Sequence, residues 1–515
     1  MRMLRLAGIL YFVVALSGPA NAEPVTATLD YGPFQVGFRT VTELDRSRAT
    51  QPRRAFDGRA ADGETAMPID IGIWYPATHS PALAHMSAEA YKTLRTPLSR
   101  DAVAADFVRM ASFGGLEMTP AQATAALIRP SRAVRDATPA DGRYPLVVSG
   151  SGLGTGWIRA EYLASHGYVV VAAPSSPRTG TLQASQPAIA LETQTRNLEF
   201  LLAFARQQPY VDATRLGILG VNFDGMAALV FEMRNMQADA IISLDGYEAK
   251  AGNVSTLRES PFFDPLRLRV PYLLFVQDER DPGPALAHDR SLWRGFAYST
   301  RFWYVLNGFN HLQLISDVAN ATILSSEQQA GHRFILQTMR LFLDAYVKRD
   351  ASAATRILKS SPGAGVPSSL IKVAERATAL PAVPDGEEFE KIVMSGRIDE
   401  AAGIYRAAKA ANPELVLFDE GTIGLYAFRY DQRKLTTEAL KLRRLAAEAF
   451  PESATAAYQR GIAAAAAGNL PEARSEFERT LRLLGGSGPA GLSAARKDDI
   501  RRDVEKRLAA LGGAA

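Results

Sequence analysis

Cysteine is missing from all 515 residues. Its absence excludes disulfides, a thiol nucleophile, a zinc–thiolate centre and a lipoprotein anchor, so packed cores must supply the stability. A dominant charge is missing too. The 58 Lys and Arg nearly balance 54 Asp and Glu, for a formal charge of +4, and no basic stripe interleaves with aromatics, so nucleic acid is not an expected partner. The six histidines show no metal-ligand spacing, and no metal or other cofactor is implied. Long apolar runs are confined to the start. Arg2 and Arg5 precede Leu6 to Leu16, then Gly18-Pro19 and Ala20-Asn21-Ala22. Basic, apolar, then A-x-A is the order of a secretory signal peptide over residues 1–22, with cleavage expected after Ala22. A periplasmic or secreted protein is therefore expected, with no membrane span once the leader is removed.

What is present is alternation. Phe34 to Leu44, Ile69 to Trp74, Leu146 to Val148, Tyr168 to Ala173, Leu216 to Leu219, Ala240 to Leu244, Tyr272 to Val276 and Phe302 to Leu306 read as strands. Helical patterns such as Thr195 to Arg206 separate them, which predicts a mostly parallel sheet covered on both faces across residues 23–348. Residues 87–137 form an insertion of helical periodicity, either a lid, a channel wall or packing. Residues 349–386 turn Ser-, Ala-, Pro- and Gly-rich and read as a linker, with some helix near Leu370 to Ala379.

Beyond lies a repeat over 387–485. Ala401, Tyr405, Ala408 and Pro413 match Ala439, Ala446 and Pro451 in register, and Gly461, Ala473 and Phe477 continue the series. Small residues at helix crossings, an aromatic knob and a terminal proline resemble tetratricopeptide repeats. Residues 486–515 then read as a capping helix, with Ile500, Val504, Leu508 and Leu511 on one face. Such an array implies a protein or peptide partner in its groove.

The chemistry concentrates in Arg215-Leu-Gly-Ile-Leu-Gly-Val-Asn-Phe-Asp-Gly225, a short apolar strand running through a turn into the helical pattern at Met226. This is the layout of a nucleophile elbow, G-x-S-x-G, in an α/β-hydrolase fold. Asn222 holds the serine position and Asp224 that of the last glycine. Asn tolerates positive φ, whereas a Cβ at 224 is expected to crowd and relax the turn. Asp245 ends the next strand and His311 follows a later one, so elbow, acid and histidine keep the hydrolase order. The glycine-rich turn Ser149 to Gly156 stands where an oxyanion hole draws one N–H group. Asp281 is the alternative acid, while Asp278 and Glu279 beside it read as solvated charges.

These segments, together with Val36-Gly-Phe-Arg-Thr40, Ile73-Trp-Tyr-Pro-Ala77, Tyr144-Pro-Leu-Val-Val148, Gly152-Leu-Gly154 and Tyr162 to Val170, resemble platelet-activating-factor acetylhydrolases and the related dienelactone-hydrolase-like proteins over roughly residues 30 to 348. The resemblance implies Asp245 as acid, His311 as base, the Leu153 and Phe223 N–H groups as oxyanion donors, and Asn222 in place of the serine. It also implies an ester or acyl ligand. A carboxamide has no hydroxyl proton for a histidine to remove. Losing the serine of a triad costs about six orders of magnitude in turnover. The expectation is a pocket kept without its reaction. Three other nucleophiles compete with it: Ser151 on the oxyanion side, Asp224 as a carboxylate, and Asn222 after deamidation to aspartate. A third reading places the function in the repeats.

Overall fold

The computed structural model describes residues 26, 28–49, 54, 58–59, 66–79, 83–94, 98–113, 117–150, 156–173, 186–278, 287–317, 325–359, 368–485 and 492–512. The proposed signal peptide lies outside them. The chain divides into two compact units, Met1–Ala379 and Leu380–Ala515.

The first unit is built on one sheet. In chain order its strands are β1 (Gln35–Ala49), β2 (Ala66–Ala77), β3 (His85–Ser87), β4 (Pro130–Arg135), β5 (Tyr144–Ser149), β6 (Val169–Ala172), β7 (Val211–Val221), β8 (Ala240–Leu244), β9 (Tyr272–Val276), β10 (Arg301–Leu306) and β11 (Ile371–Ala377). Their spatial order is β11-β10-β9-β8-β7-β5-β6-β2-β1-β4-β3. From β6 through β10 every neighbouring pair is parallel, while β1–β2, β2–β6 and β10–β11 are antiparallel. A sheet with β5 and β6 exchanged in space, opening on an antiparallel pair, is an α/β-hydrolase sheet.

Successive strand residues point to opposite faces, and both faces are packed. Val147, Val170, Leu219 and Ile242 enter one core with Phe342 and Leu343 of the helix Ser326–Tyr346. Leu146, Val148, Val169, Ile218 and Ile241 enter the other with Leu198 and Leu229 of the helices Pro187–Ala205 and Asp224–Asn235. Two-sided burial is why these strands read as unbroken apolar runs.

Two segments correct the sequence reading. The insertion carries three helices, Ala88–Lys92, Arg100–Phe113 and Pro120–Ile128, but it also carries β4, and β3 enters it; β4 pairs parallel with β1. Within the supposed linker, Ala351–Lys359 is helical and Ile371–Ala377 is a strand, not a helix. That strand pairs with β10 from Arg301↔Ala377 to Leu306↔Ile371 and completes the sheet edge. Its half-buried pattern is that of an edge strand, which Ser/Pro/Gly composition nearby disguised.

In the described residues of the second unit, helices run Gly386–Met394, Ile398–Ala411, Glu420–Gln432, Thr436–Ala449, Ala454–Ala466, Leu470–Gly485 and Ala494–Gly512. Ala401, Tyr405, Ala439, Ala446, Ala473 and Phe477 are buried at the helix contacts. A Cβ on Gly461 would lie 2.7 Å from the Phe477 ring, so the small residue there is what lets the two helices approach. Ile500 and Val504 of the last helix close this core, with Leu508 and Leu511 packed against it. No helix among the described residues is long and apolar enough to cross a membrane.

Candidate functional site

The C-terminal ends of β7 and β8 lie side by side, with Val221 opposite Leu244, and each is followed by a residue in the left-handed region. Asn222 has φ 58° and Asp245 φ 47°. The Asn222 N–H donates to Leu244 O at 3.0 Å, and its carbonyl accepts from Gly225 N and Tyr247 N, both at 3.1 Å. The turn is as tight as an elbow requires. A Cβ on Gly220 would come within 2.6 Å of Gly225 Cα, so strand and helix approach backbone to backbone.

The expected relaxation of the elbow by Asp224 does not occur. As the first residue of the helix Asp224–Asn235, Asp224 turns its buried carboxyl sideways, its Cγ 3.0 Å from where a Cβ on Gly150 would sit. The glycine of the serine pattern has become a carboxylate beside the start of the oxyanion-side loop. A negative charge there would oppose a developing oxyanion.

At the apex, the Asn222 side chain lies near the Tyr247 hydroxyl, and its Oδ1 is buried without a hydrogen-bond partner among the described residues. No described group takes up the Phe223 N–H, which leaves it available as an oxyanion donor. Beneath the elbow, Glu248 is fully buried and accepts from the Tyr272 hydroxyl at 2.7 Å. Burial pushes its carboxyl above the ordinary range, against the hydrogen bonds of Ser243 and Tyr272.

Asp245 and His311 meet as an acid–base pair, with His311 Nδ1 2.5 Å from Asp245 Oδ2. The carboxylate draws the ring proton to Nδ1 and leaves Nε2 as the free acceptor. The imidazole is about one-third exposed and Asp245 is inaccessible. The other oxygen, Oδ1, accepts from Lys250 Nζ at 2.8 Å and Gln277 N at 2.9 Å. Burial alone would raise the Asp245 pKa. The His311 hydrogen bond and the Lys250 charge outweigh it and hold the group below its ordinary value.

Sequence reasoning missed Lys250, Gln277 and the role of Asp278. Lys250 is itself buried, and its backbone pairs with that of His288, whose pKa falls to about 4 through burial and then the Lys250 charge. A lysine five residues past an acid gives no signal of burial by itself. Gln277 Oε1 accepts from His311 N at 3.1 Å, so one residue touches both members of the pair. Asp278 is not a solvated charge. It accepts from Gly308 N at 2.8 Å and pairs with Lys372 of β11 at 2.5 Å, tying down the turn that leads to His311. The far end of that segment is held by Asp317, whose buried carboxyl pairs with Arg159 and accepts from Ile158 N. Ser151, Leu153 and Asp281 lie outside the described residues. Among the described residues no cluster of three His, Asp or Glu could hold a metal ion.

No family model matches the chain, and no curated protein matches it. Among solved structures it is similar to a ferulic acid esterase from Streptomyces cinnamoneus at 2.4 Å resolution. The TM-score is 0.44 and the identity 20%, over 67% of this chain and 96% of that one. The sheet order and the elbow establish the fold without that likeness.

Proposed function

We propose that this is an exported, hydrolase-derived binding protein, related to the platelet-activating-factor acetylhydrolase and dienelactone-hydrolase-like group, that has kept pocket, acid and histidine but lost acyl transfer. The observation carrying this reading is Asn222 at the elbow apex with φ 58°. The residue presented at the apex has no hydroxyl proton for His311 to remove. Asp224 adds a second obstacle, a carboxyl group set beside Gly150. The ligand class is a small ester or acyl compound. The helical unit, read as tetratricopeptide-like, supplies a surface for a protein or peptide partner, and the whole acts as a scaffold outside the cytoplasm.

The test is hydrolysis of p-nitrophenyl acetate by purified protein. The expected result is a rate no higher than that of the His311→Ala variant. Enzyme-like turnover abolished by His311→Ala sinks the reading.

One observation favours a second reading, a working carboxylic-ester hydrolase with a different nucleophile such as Ser151. The Asp245–His311 bond is fully assembled and clamped by Lys250 and Gln277. In that reading His311 Nε2 takes the nucleophile's proton, Asp245 stabilises the imidazolium, and Phe223 N–H helps hold the oxyanion. A fluorophosphonate probe distinguishes the two, because an adduct mapped to any residue supports the enzyme.

A further inference from the structure

Away from the elbow, the insertion, the helix Trp157–Ser165 and the segment around Tyr31 line a half-open cavity of about 370 Å³. That volume falls within the range of small-molecule sites, about 300–1,000 Å³. None of Asn222, Asp245 and His311 lines it. Its apolar wall is Trp157, Ile158, Ala88 and Ala126, all buried. Trp157 is fixed by stacking on Tyr91, with ring centroids 5.6 Å apart and planes 17° apart.

The polar wall is cationic. Arg129 and Arg132 both line the cavity, and both are exposed. Neither guanidinium has a carboxylate partner among the described residues. Arg132 instead stacks over the Tyr31 ring at 4.5 Å, an arrangement that orients the guanidinium without using its N–H donors. The Tyr31 hydroxyl is buried with no partner among the described residues. His85, on the same wall, holds Ser131 O through Nδ1 at 2.9 Å. With the proton on Nδ1, Nε2 is left uncommitted.

Two carboxylates lie close, and both are already answered: Asp317 pairs with Arg159 and accepts from Ile158 N, and the second is Glu161. Glu161 sits behind the wall, accepting from the Ser131 hydroxyl at 2.6 Å, the Arg132 N–H at 2.9 Å and the Tyr91 hydroxyl at 2.7 Å. It is spent on the protein's own donors and does not neutralise the Arg132 guanidinium, which points elsewhere.

We propose that this cavity binds a small organic monoanion, a carboxylate or sulfonate head on an apolar body. The head meets Arg129 and Arg132, and the body lies on Trp157 and Ile158. An apolar compound without charge would leave two arginines unpaired at the mouth. An inorganic anion would leave the aromatic wall wet. Only a ligand carrying both parts satisfies both walls. This site is independent of whether the elbow is catalytic.

The experiment titrates anilinonaphthalene sulfonate, an aromatic monoanion, into the full-length protein and follows its fluorescence, with octanoate and octanol as competitors. Saturable binding is expected, displaced by octanoate and far less by octanol. Arg129→Gln with Arg132→Gln should weaken it at least about tenfold, the loss expected for charge-assisted hydrogen bonds. Arg132→Lys should fall between. Arg443→Gln, which lines the separate cavity of the helical unit, should leave it unchanged. Circular dichroism melts verify that each variant is folded. Absence of saturable binding, a dissociation constant unmoved in the double variant, or octanol competing as well as octanoate would overturn the proposal.

Discussion

Asp245 divides its two oxygens between opposite tasks: Oδ2 faces His311 Nδ1 at 2.5 Å, and Oδ1 faces Lys250 Nζ at 2.8 Å. The acid is thus as much a counter-ion for a buried lysine as a partner for the histidine. Even a site that has lost its reaction is expected to keep this arrangement, because an isolated buried lysine is costly. Structural need alone can therefore preserve the acid after catalysis is lost.

The first prediction separates those tasks. Asp245→Ala strands the Lys250 charge in the core and should destabilise the protein by about 3–5 kcal/mol. His311→Ala, at a partly exposed ring, should cost about 1 kcal/mol or less. The Asp245→Ala, Lys250→Met double variant should recover part of the loss, because residues in contact do not act additively. Urea unfolding measures all three, and equal losses for Asp245→Ala and His311→Ala would contradict the lysine argument.

A second prediction concerns the elbow. Asn222→Ser alone restores a hydroxyl but leaves the Asp224 carboxyl beside Gly150. Adding Asp224→Gly should raise p-nitrophenyl acetate turnover a further 10²-fold or so, the order of one oxyanion contact. The check is steady-state kinetics of both variants. If the double variant is no faster than Asn222→Ser, the Asp224 carboxylate is not an obstacle.

Protonation gives a third. Burial pushes Glu161 up to about 7, against the hydrogen bonds from Ser131 and Tyr91 that pull it down. Its folded pKa lies above the unfolded value near 4.5, so the folded state holds the proton more tightly. Stability from this group is present below pH 4.5 and is lost as pH rises toward 7, with about 3 kcal/mol at stake. Glu161→Gln removes this dependence. The variant should therefore gain on the wild type between pH 4.5 and 7 and run parallel to it above. Asp245 behaves oppositely, since its depressed pKa gives stability that is lost only as pH falls below about 3.8. Chemical denaturation at a series of pH values measures both.

The fourth lies in the helical unit. Gly461→Val places atoms inside the Phe477 ring's space, where even a Cβ comes within 2.7 Å. Overpacking of this kind costs about 1–3 kcal/mol. Hydrogen exchange of the full chain should show lost protection in Ala454–Ala466 and Leu470–Gly485, with the sheet unaffected.

Legibility in the sequence followed the range of the forces. All eight strand segments read in the sequence coincide with strands: six as apolar runs, because burial on both faces leaves a local mark in composition, and Phe34 to Leu44 and Ile69 to Trp74 by their alternation. The elbow was legible for a similar reason. A strand, a tight turn and a helix within eleven residues must show their glycines and their apex together. Even the order of Asn222, Asp245 and His311 followed from strand ends alone.

What chain order could not decide was pairing. β11 was hidden because its identity as a strand comes from β10, some 70 residues earlier, rather than from its own propensity. Lys250, Gln277 and Asp278 gave no signal for the same reason. A lysine or aspartate is written identically whether it is solvated or clamped, and only the fold brings its partner within 3 Å. The chain order of the strands and the identity of the apex residue were settled by the residues themselves, through periodicity and turn sterics. The strength of the acid, the direction of the histidine and the sideways turn of Asp224 belonged to tertiary structure, because electrostatics depends on distance in space and not on distance along the chain.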